Sequence, residues 1–206
     1  MTKIDTIIFD LGGVLIDWNP KYVYRDVFHG DEEKVDWFLN TICTSEWNVA
    51  HDAGRKLKDG TELLVKQYPQ YEAWIRIYYD RWADMLGGPI KETVSLLEDL
   101  KKVNTYKLYA LTNWSAETFP VAIQRYNFLQ LFEGILVSGE EKTRKPFKNI
   151  YELLLDRYKL KASSSVFIDD NYENIVAAEN IGIKGIHFKN AQQLKSELIS
   201  LNVPLI

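Results

Sequence analysis

The chain has 206 residues, 46% of them hydrophobic and 13% aromatic, with a formal net charge of −4. That is enough apolar material for one core and a smaller appendage. The mild acidity, with no lysine–arginine run, argues against a nucleic-acid partner, and the single cysteine, Cys43, excludes an internal disulfide and a Cys-based zinc site.

The N-terminal stretch MTKIDTIIFDLGGVLID holds no long apolar run, because Asp10 interrupts it. It reads as neither a secretory segment nor a membrane span, and the expectation is a cytoplasmic protein without a membrane partner. The first compact apolar run is IIFD (7–10). From about Asp17 to Leu86 the pattern is helical and rich in aromatics, with no convincing strand. Trp74, Tyr78, Trp82 and Met85 recur at spacings of four, four and three, giving one apolar face that is expected to serve packing. MLGGPI (85–90) supplies a Gly-Gly-Pro break suited to a return hinge. Beyond it, helical stretches alternate with apolar runs of strand length. ETVSLLEDLKKV precedes YKLYALTN (106–113), and AETFPVAIQRYNF precedes GILVS (134–138). NIYELLLDRYKL precedes SVFIDD (165–170), and YENIVAAENIG precedes GIHF (185–188). Continuous apolar runs suit parallel strands covered on both faces. The fold class is therefore α/β, a doubly wound, Rossmann-like parallel sheet from 1–16 and 87–206, with a helical insert at 17–86 after the first strand.

Ligands of an open α/β sheet bind beyond the carboxyl ends of its strands. The first run ends at Asp10, the second at Thr112-Asn113 and the fourth at Asp169-Asp170, while the loop after the third holds Lys145. Taken singly, each of these polar ends is an ordinary cap, turn or exposed loop. Their coincidence at corresponding strand ends points to one site. A nucleophilic carboxylate beside a divalent cation is a coherent way to attack a phosphoryl group. Carboxylates and carbonyls suit a hard cation, Mg²⁺ best. Lys145 would neutralise charge, and the bare backbone at Gly12 and Gly13 would let a phosphate approach Thr112 and nearby N–H groups.

The chain resembles the haloacid dehalogenase superfamily of hydrolases through FDLGGVL at 9–15, ALTNWS at 110–115, KPF at 145–147 and FIDDNYENIVAAENIG at 167–182. The resemblance implies that Asp10 forms an aspartyl-phosphate, that Thr112 and Asn113 contact the transferred group, and that Lys145 pairs with Asp10 and the phosphate. It implies a Mg²⁺ site of Asp10, the backbone carbonyl of Gly12 and Asp170, with Asp169 and Asn174 in support. Segment 17–86 then corresponds to the small helical cap of the family's first cap class. The implied function is Mg²⁺-dependent hydrolysis of a small phosphorylated metabolite, sugar phosphates among them. Specificity would lie in the cap, around Asp17, Trp18, Trp47, His51, Asp52 and Arg55, with Arg55 available to an anionic substrate group. The cap aromatics would serve either internal packing or a dimer face.

Gly12 departs from the usual phosphatase pattern, which places a second Asp there to protonate the leaving oxygen and then activate water. General acid–base help is worth about 10²–10⁴-fold. Three explanations compete: an acid from the cap (Glu46, His51 or Asp52), substrates with acidic leaving groups such as sugar 1-phosphates, acyl phosphates or pyrophosphates, or binding with little turnover. The same absence fits 2-haloacid dehalogenation, which also uses an Asp nucleophile and a Lys. The pair Asp169-Asp170 favours the phosphatase, because adjacent carboxylates near Asp10 repel unless a cation lies between them. No phosphate loop, dinucleotide turn or zinc helix is present, and His29, His51 and His187 lack metal-ligand spacing.

Overall fold

The computed structural model describes residues 3–204. In chain order the elements are β1 (Thr6–Phe9), β2 (Ile16–Trp18), α1 (Lys21–Val27), α2 (Glu32–Thr41), α3 (Ser45–Asp52), α4 (Leu57–Gln67), α5 (Glu72–Asp80) and β3 (Leu86–Pro89). There follow α6 (Lys91–Val103), β4 (Lys107–Thr112), α7 (Phe119–Arg125), β5 (Gly134–Val137), α8 (Ser138–Glu141), α9 (Lys148–Arg157), β6 (Ser165–Asp169), α10 (Tyr172–Glu179), β7 (Lys184–His187) and α11 (Ala191–Ser200).

Five strands form a parallel sheet in the order β5-β4-β1-β6-β7. Side chains alternate between its faces. Ile7 and Phe9 join one buried cluster with Leu97 and Leu100 of α6 and Leu194 and Leu198 of α11. Ile8, Leu111 and Phe167 face the other way, onto Ile150 and Leu154 of α9 and Ile175 of α10. With both faces covered, the strands read as unbroken apolar runs. The chain reverses its winding at β1, which lies between β4 and β6, so the crevice opens at the ends of these three strands.

The segment between β2 and β3 is helical, and its aromatic stripe packs inward. Tyr24, Phe28, Phe38, Trp47, Trp74 and Tyr78 meet in pairs at centroid separations of 4.7–6.2 Å, the usual range for tilted and edge-on pairs. The stripe is not one continuous helix: α5 stops at Asp80, and Trp82–Met85 forms a 3₁₀ turn that still buries Trp82 and Met85. The expectation of no strand between Asp17 and Leu86 also needs correction. β2 and β3 pair antiparallel (Ile16 with Pro89, Asp17 with Gly88) and make a short ribbon from which the helices leave and to which they return. The Gly-Gly-Pro break is thus half of a ribbon rather than a free hinge. At Gly87 a Cβ would lie 2.1 Å from Asp17 Oδ2, so the bare backbone leaves room for the Asp17 carboxylate beside the ribbon. No helix among the described residues is long and apolar enough to cross a membrane.

Candidate active site

β1 delivers Asp10 to the sheet edge, where its backbone N–H donates to the carbonyl of Ile168 on β6 (2.8 Å). The chain then turns tightly. Leu11 N–H donates to Asp10 Oδ1 (2.8 Å), and Gly13 N–H to the carbonyl of Ile16 (3.0 Å). The two glycines have different reasons to be bare. Gly13 sits at φ +71° with Asp170 against it, so a Cβ would lie 2.3 Å from Asp170 Oδ2. At Gly12 a Cβ would meet nothing within 4 Å.

Lys145 is fully buried, and its Nζ lies 2.8 Å from Asp10 Oδ1 and 2.6 Å from Asp169 Oδ2. Asn174 Nδ2 and the Asn171 N–H also donate to Asp169, which leaves that carboxylate fully engaged within the protein. Asp170, next in the chain, is exposed. One carboxylate oxygen from each of Asp10, Asp169 and Asp170 falls within 4.8 Å of the others.

Three carboxylates around one ammonium leave negative charge in excess, and the acidities reflect it. Burial pushes Asp10 up to about 7, Lys145 opposes that, and Asp169 and Asp170 add to it. Burial works against the Lys145 charge, yet Asp10 and Asp169 together hold its pKa above the ordinary lysine range. Asp170 is raised by burial and by Asp169. Such an arrangement favours a hard, oxygen-seeking divalent cation. The donor set fits one: Asp10 and Asp170 are the carboxylates without a full complement of protein donors, and Gly13 leaves the Asp170 oxygens uncovered. Thr112 Oγ1, at the end of β4, is buried without a hydrogen-bond partner among the described residues. An orphaned hydroxyl at this place fits a phosphate oxygen.

Asn113 lines the same edge and also holds the loop that follows β5. Its side-chain amide is held by the Lys145 backbone in both directions, Nδ2 donating to the Lys145 carbonyl (3.0 Å) and Oδ1 accepting from its N–H (2.9 Å). It fixes the loop that carries the lysine.

The helical segment roofs this edge. A cavity of about 80 Å³ lies there, lined by Gly12, Trp18, Asn48, Asp52, Tyr79, Trp82, Asn113, Trp114, Ser115 and Thr118. Of the residues expected to set specificity, Trp18 and Asp52 line it. Asp17 instead accepts from the Tyr22 hydroxyl (2.6 Å) beside the ribbon. Trp47 donates its indole N–H to the Gly60 carbonyl inside the helical segment (3.0 Å). His51 is buried against Asn48 and Tyr79, and burial together with the Arg55 charge lowers its pKa to about 4. Arg55 donates to the Trp47 carbonyl and to His51 rather than facing the cavity. The reason is common to all three: each polar atom sits among aromatic rings and is satisfied there. Trp82 belongs to the stripe read as packing and Tyr79 is the chain neighbour of its Tyr78, while Trp114 and Ser115 directly follow the polar end of β4, a signal that could have marked them. The Trp18 indole N–H is buried without a partner among the described residues.

Comparison with known proteins places the chain in context. A family model described as haloacid dehalogenase-like hydrolase matches residues 7–188. Among characterised relatives, sesquiterpene phosphatase astK of Aspergillus oryzae is 31% identical over 201 residues, covering 97% of each chain. Pyrophosphatase PpaX of Bacillus cereus is 23% identical over 88% of this chain and 82% of its own. Among solved structures, a HAD family enzyme of Bacteroides thetaiotaomicron in complex with magnesium and inorganic phosphate shares the fold, with a TM-score of 0.66 at 20% identity over 91% of this chain and 95% of its own.

Proposed function

The chain belongs to the haloacid dehalogenase-like hydrolase family and is a hydrolase, and from that premise we propose that it is a Mg²⁺-dependent phosphatase of small phosphorylated metabolites. Residues 17–86 act as its cap over a core of 1–16 and 87–206. The observation that carries the reading is the Asp10–Lys145–Asp169 arrangement with Asp170 beside it. Asp10 attacks phosphorus, the ester P–O bond breaks, and water then releases phosphate from Asp10. Lys145 holds the Asp10 carboxylate in place and lowers the charge that an incoming phosphate meets. Thr112 Oγ1 donates to a phosphate oxygen. Asn113 positions Lys145, and Asp169 with Asn174 fixes its ammonium group. Asp10, Asp170 and the Gly12 carbonyl would hold the cation, which supplies neutralisation of the charge on the phosphoryl oxygens.

The phosphatase and pyrophosphatase names of two relatives support this chemistry. The cavity supports a substrate whose alcohol part is small and largely uncharged: four of its lining residues are Trp18, Tyr79, Trp82 and Trp114, and no basic side chain is among them. The astK relative is named a sesquiterpene phosphatase, and an apolar alcohol would suit these walls. Gly12 favours a second reading, 2-haloacid dehalogenation, which needs neither a second acid nor a cation. The clustered carboxylates weigh against it.

The test is Mg²⁺-dependent release of phosphate from p-nitrophenyl phosphate, abolished by EDTA and by Asp10→Asn. EDTA-insensitive chloride release from 2-chloropropionate would replace the phosphatase by the dehalogenase. Silence towards a broad panel of phosphate esters would leave a phosphate-binding protein.

A further inference from the structure

The acid that Gly12 lacks has a counterpart across the cavity, and we propose that Asp52, at the end of α3, is the general acid and base of this phosphatase. The inference rests on the reading of Asp10 as nucleophile and adds to it the group that handles the proton.

Three cap residues compete for the role, and their surroundings separate them. Glu46 is exposed and does not line the cavity. His51 is enclosed by Asn48, Arg55 and Tyr79 and does not itself line the cavity, and as a neutral imidazole at pH 7 it is a poor general acid. Asp52 lines the same cavity as Gly12 and Asn113. Gly12 contributes only empty space there, since a Cβ on it would touch nothing within 4 Å.

Asp52 is also fixed to the core rather than carried on a free flap. Ser138 Oγ donates to its backbone carbonyl (2.6 Å) and accepts from the Trp114 N–H (2.9 Å), so one hydroxyl ties α3 to the ends of β4 and β5. Two residues on, Gly54 packs so closely on α8 and its C-cap that a Cβ would lie 2.9 Å from Lys142 Cγ and 3.3 Å from the Gly139 carbonyl. A proton donor must hold its position relative to the reacting atoms, and these contacts supply that.

The environment suits the task. Burial raises the Asp52 carboxyl to about 7, although the charges of Arg144 and Lys145 and the Ser115 N–H pull it down. Tyr78 and Tyr79, from α5, are the other titratable groups that sense it, and both stay neutral at physiological pH because burial raises them well above the ordinary phenol range. An acid poised near neutrality can donate in one step and accept in the next. In the first, the Asp52 proton passes to the ester oxygen as the P–O bond breaks, which gives a neutral alcohol and a phosphoryl group on Asp10. In the second, the Asp52 carboxylate takes a proton from water as that oxygen bonds to phosphorus, and Asp10 leaves as a free carboxylate.

The experiment compares Asp52→Asn with the unaltered chain on p-nitrophenyl phosphate, whose leaving group needs no proton, and on a simple alkyl phosphate, whose leaving group does. The expected loss in kcat/KM is about 10²-fold or more on the alkyl ester and small on the nitrophenyl ester. Gly12→Asp combined with Asp52→Asn should recover alkyl-ester turnover, because the space at position 12 is open. Equal losses on both esters would overturn the proposal and leave Asp52 a residue that merely anchors α3. The unaltered chain supplies a measurement that survives any folding failure: across aryl and alkyl phosphates its kcat/KM should depend weakly on leaving-group acidity, and a steep dependence overturns the proposal. Asp10→Asn distinguishes the two levels. If it still turns over p-nitrophenyl phosphate, the nucleophile is wrong; if it is inert while Asp52→Asn shows no preference between esters, only the acid is wrong.

Discussion

Replacing Asp10 by Asn should make the metal-free chain harder to unfold at alkaline pH while removing most of the stabilisation it gains from magnesium. The Asp10 carboxyl rises from 3.8 to about 7, with burial as the largest cause. Between those values the folded chain holds a proton that the unfolded chain has released, so raising the pH through that window works against folding. The difference is about three pK units, or at most about 4 kcal/mol at roughly 1.36 kcal/mol per unit. Asp52 tilts the same way, being pushed up to about 7 as well. A hard cation at Asp10 and Asp170 favours the ionised carboxylates and offsets the first of these losses, not the second. Urea denaturation followed by tryptophan fluorescence, in EDTA or in excess magnesium at about pH 6 and about pH 8, separates the contributions. In EDTA, stability should fall towards the higher pH, and the magnesium increment should grow there. Asp10→Asn should flatten part of the EDTA series and shrink the increment, whereas Asp52→Asn should flatten another part of the series and keep the increment. A magnesium increment equal at both pH values, or undiminished in Asp10→Asn, would refute the reasoning.

Lys145→Met should destabilise the metal-free chain by about 3–5 kcal/mol, because it strands two buried carboxylates; urea midpoints compared with those of Lys91→Met, on the surface, provide the check. Gly13→Ala should cost at least about 1–2 kcal/mol from its left-handed backbone and weaken magnesium binding by crowding Asp170, while Gly12→Ala should change neither stability nor metal affinity appreciably; calorimetric titration with magnesium distinguishes the pair. On the acid side, His51 is held neutral, with its pKa lowered from 6.5 to about 4, so the stability it contributes is present above about pH 6.5 and is lost as the pH falls towards 4. His51→Gln should flatten that limb in a melting-temperature series. Cys43 is buried with its thiol pushed up to about 12 by that burial, and a thiol reagent should label it only after unfolding.

The five strands of the sheet are legible because a parallel strand covered on both faces needs an apolar residue at nearly every position, and the polar residue that ends each run marks the crevice. Asp10, Asp169 and Asp170 come out of that rule alone, and Lys145 from the loop that follows the third run. The β2–β3 ribbon does not, because Leu86–Pro89 carries two glycines and a proline and becomes a strand only through a partner distant in sequence. Asn113 is legible as a strand-end residue but not as the clamp on Lys145, since that depends on where a loop more than thirty residues later passes. His51 and Asp52 show the limit most sharply. They are neighbours in the chain, and a step of about 100° around α3 packs one behind the cavity wall, against Tyr79 and Arg55, and puts the other on the wall itself. Both are polar residues near the end of one helix, and only the packing of α3 decides which meets substrate.

That same packing bears on why an acid at position 12 and an acid at position 52 are alternatives. Gly12 and Asp52 line one cavity of about 80 Å³, and Trp18, Tyr79, Trp82 and Trp114 are half of its remaining lining residues. Two carboxyl groups sharing so small a space would repel, and one would be held protonated at a higher pH than either alone. A chain with both would keep one useful acid and one permanently neutral one, with less room for the alcohol. Backbone strain does not forbid a side chain at Gly12, so the turn does not require the glycine there. What favours it is the company of Asp52. Adding an acid at 12 while Asp52 remains should therefore help little, and removing Asp52 is what should make that acid valuable.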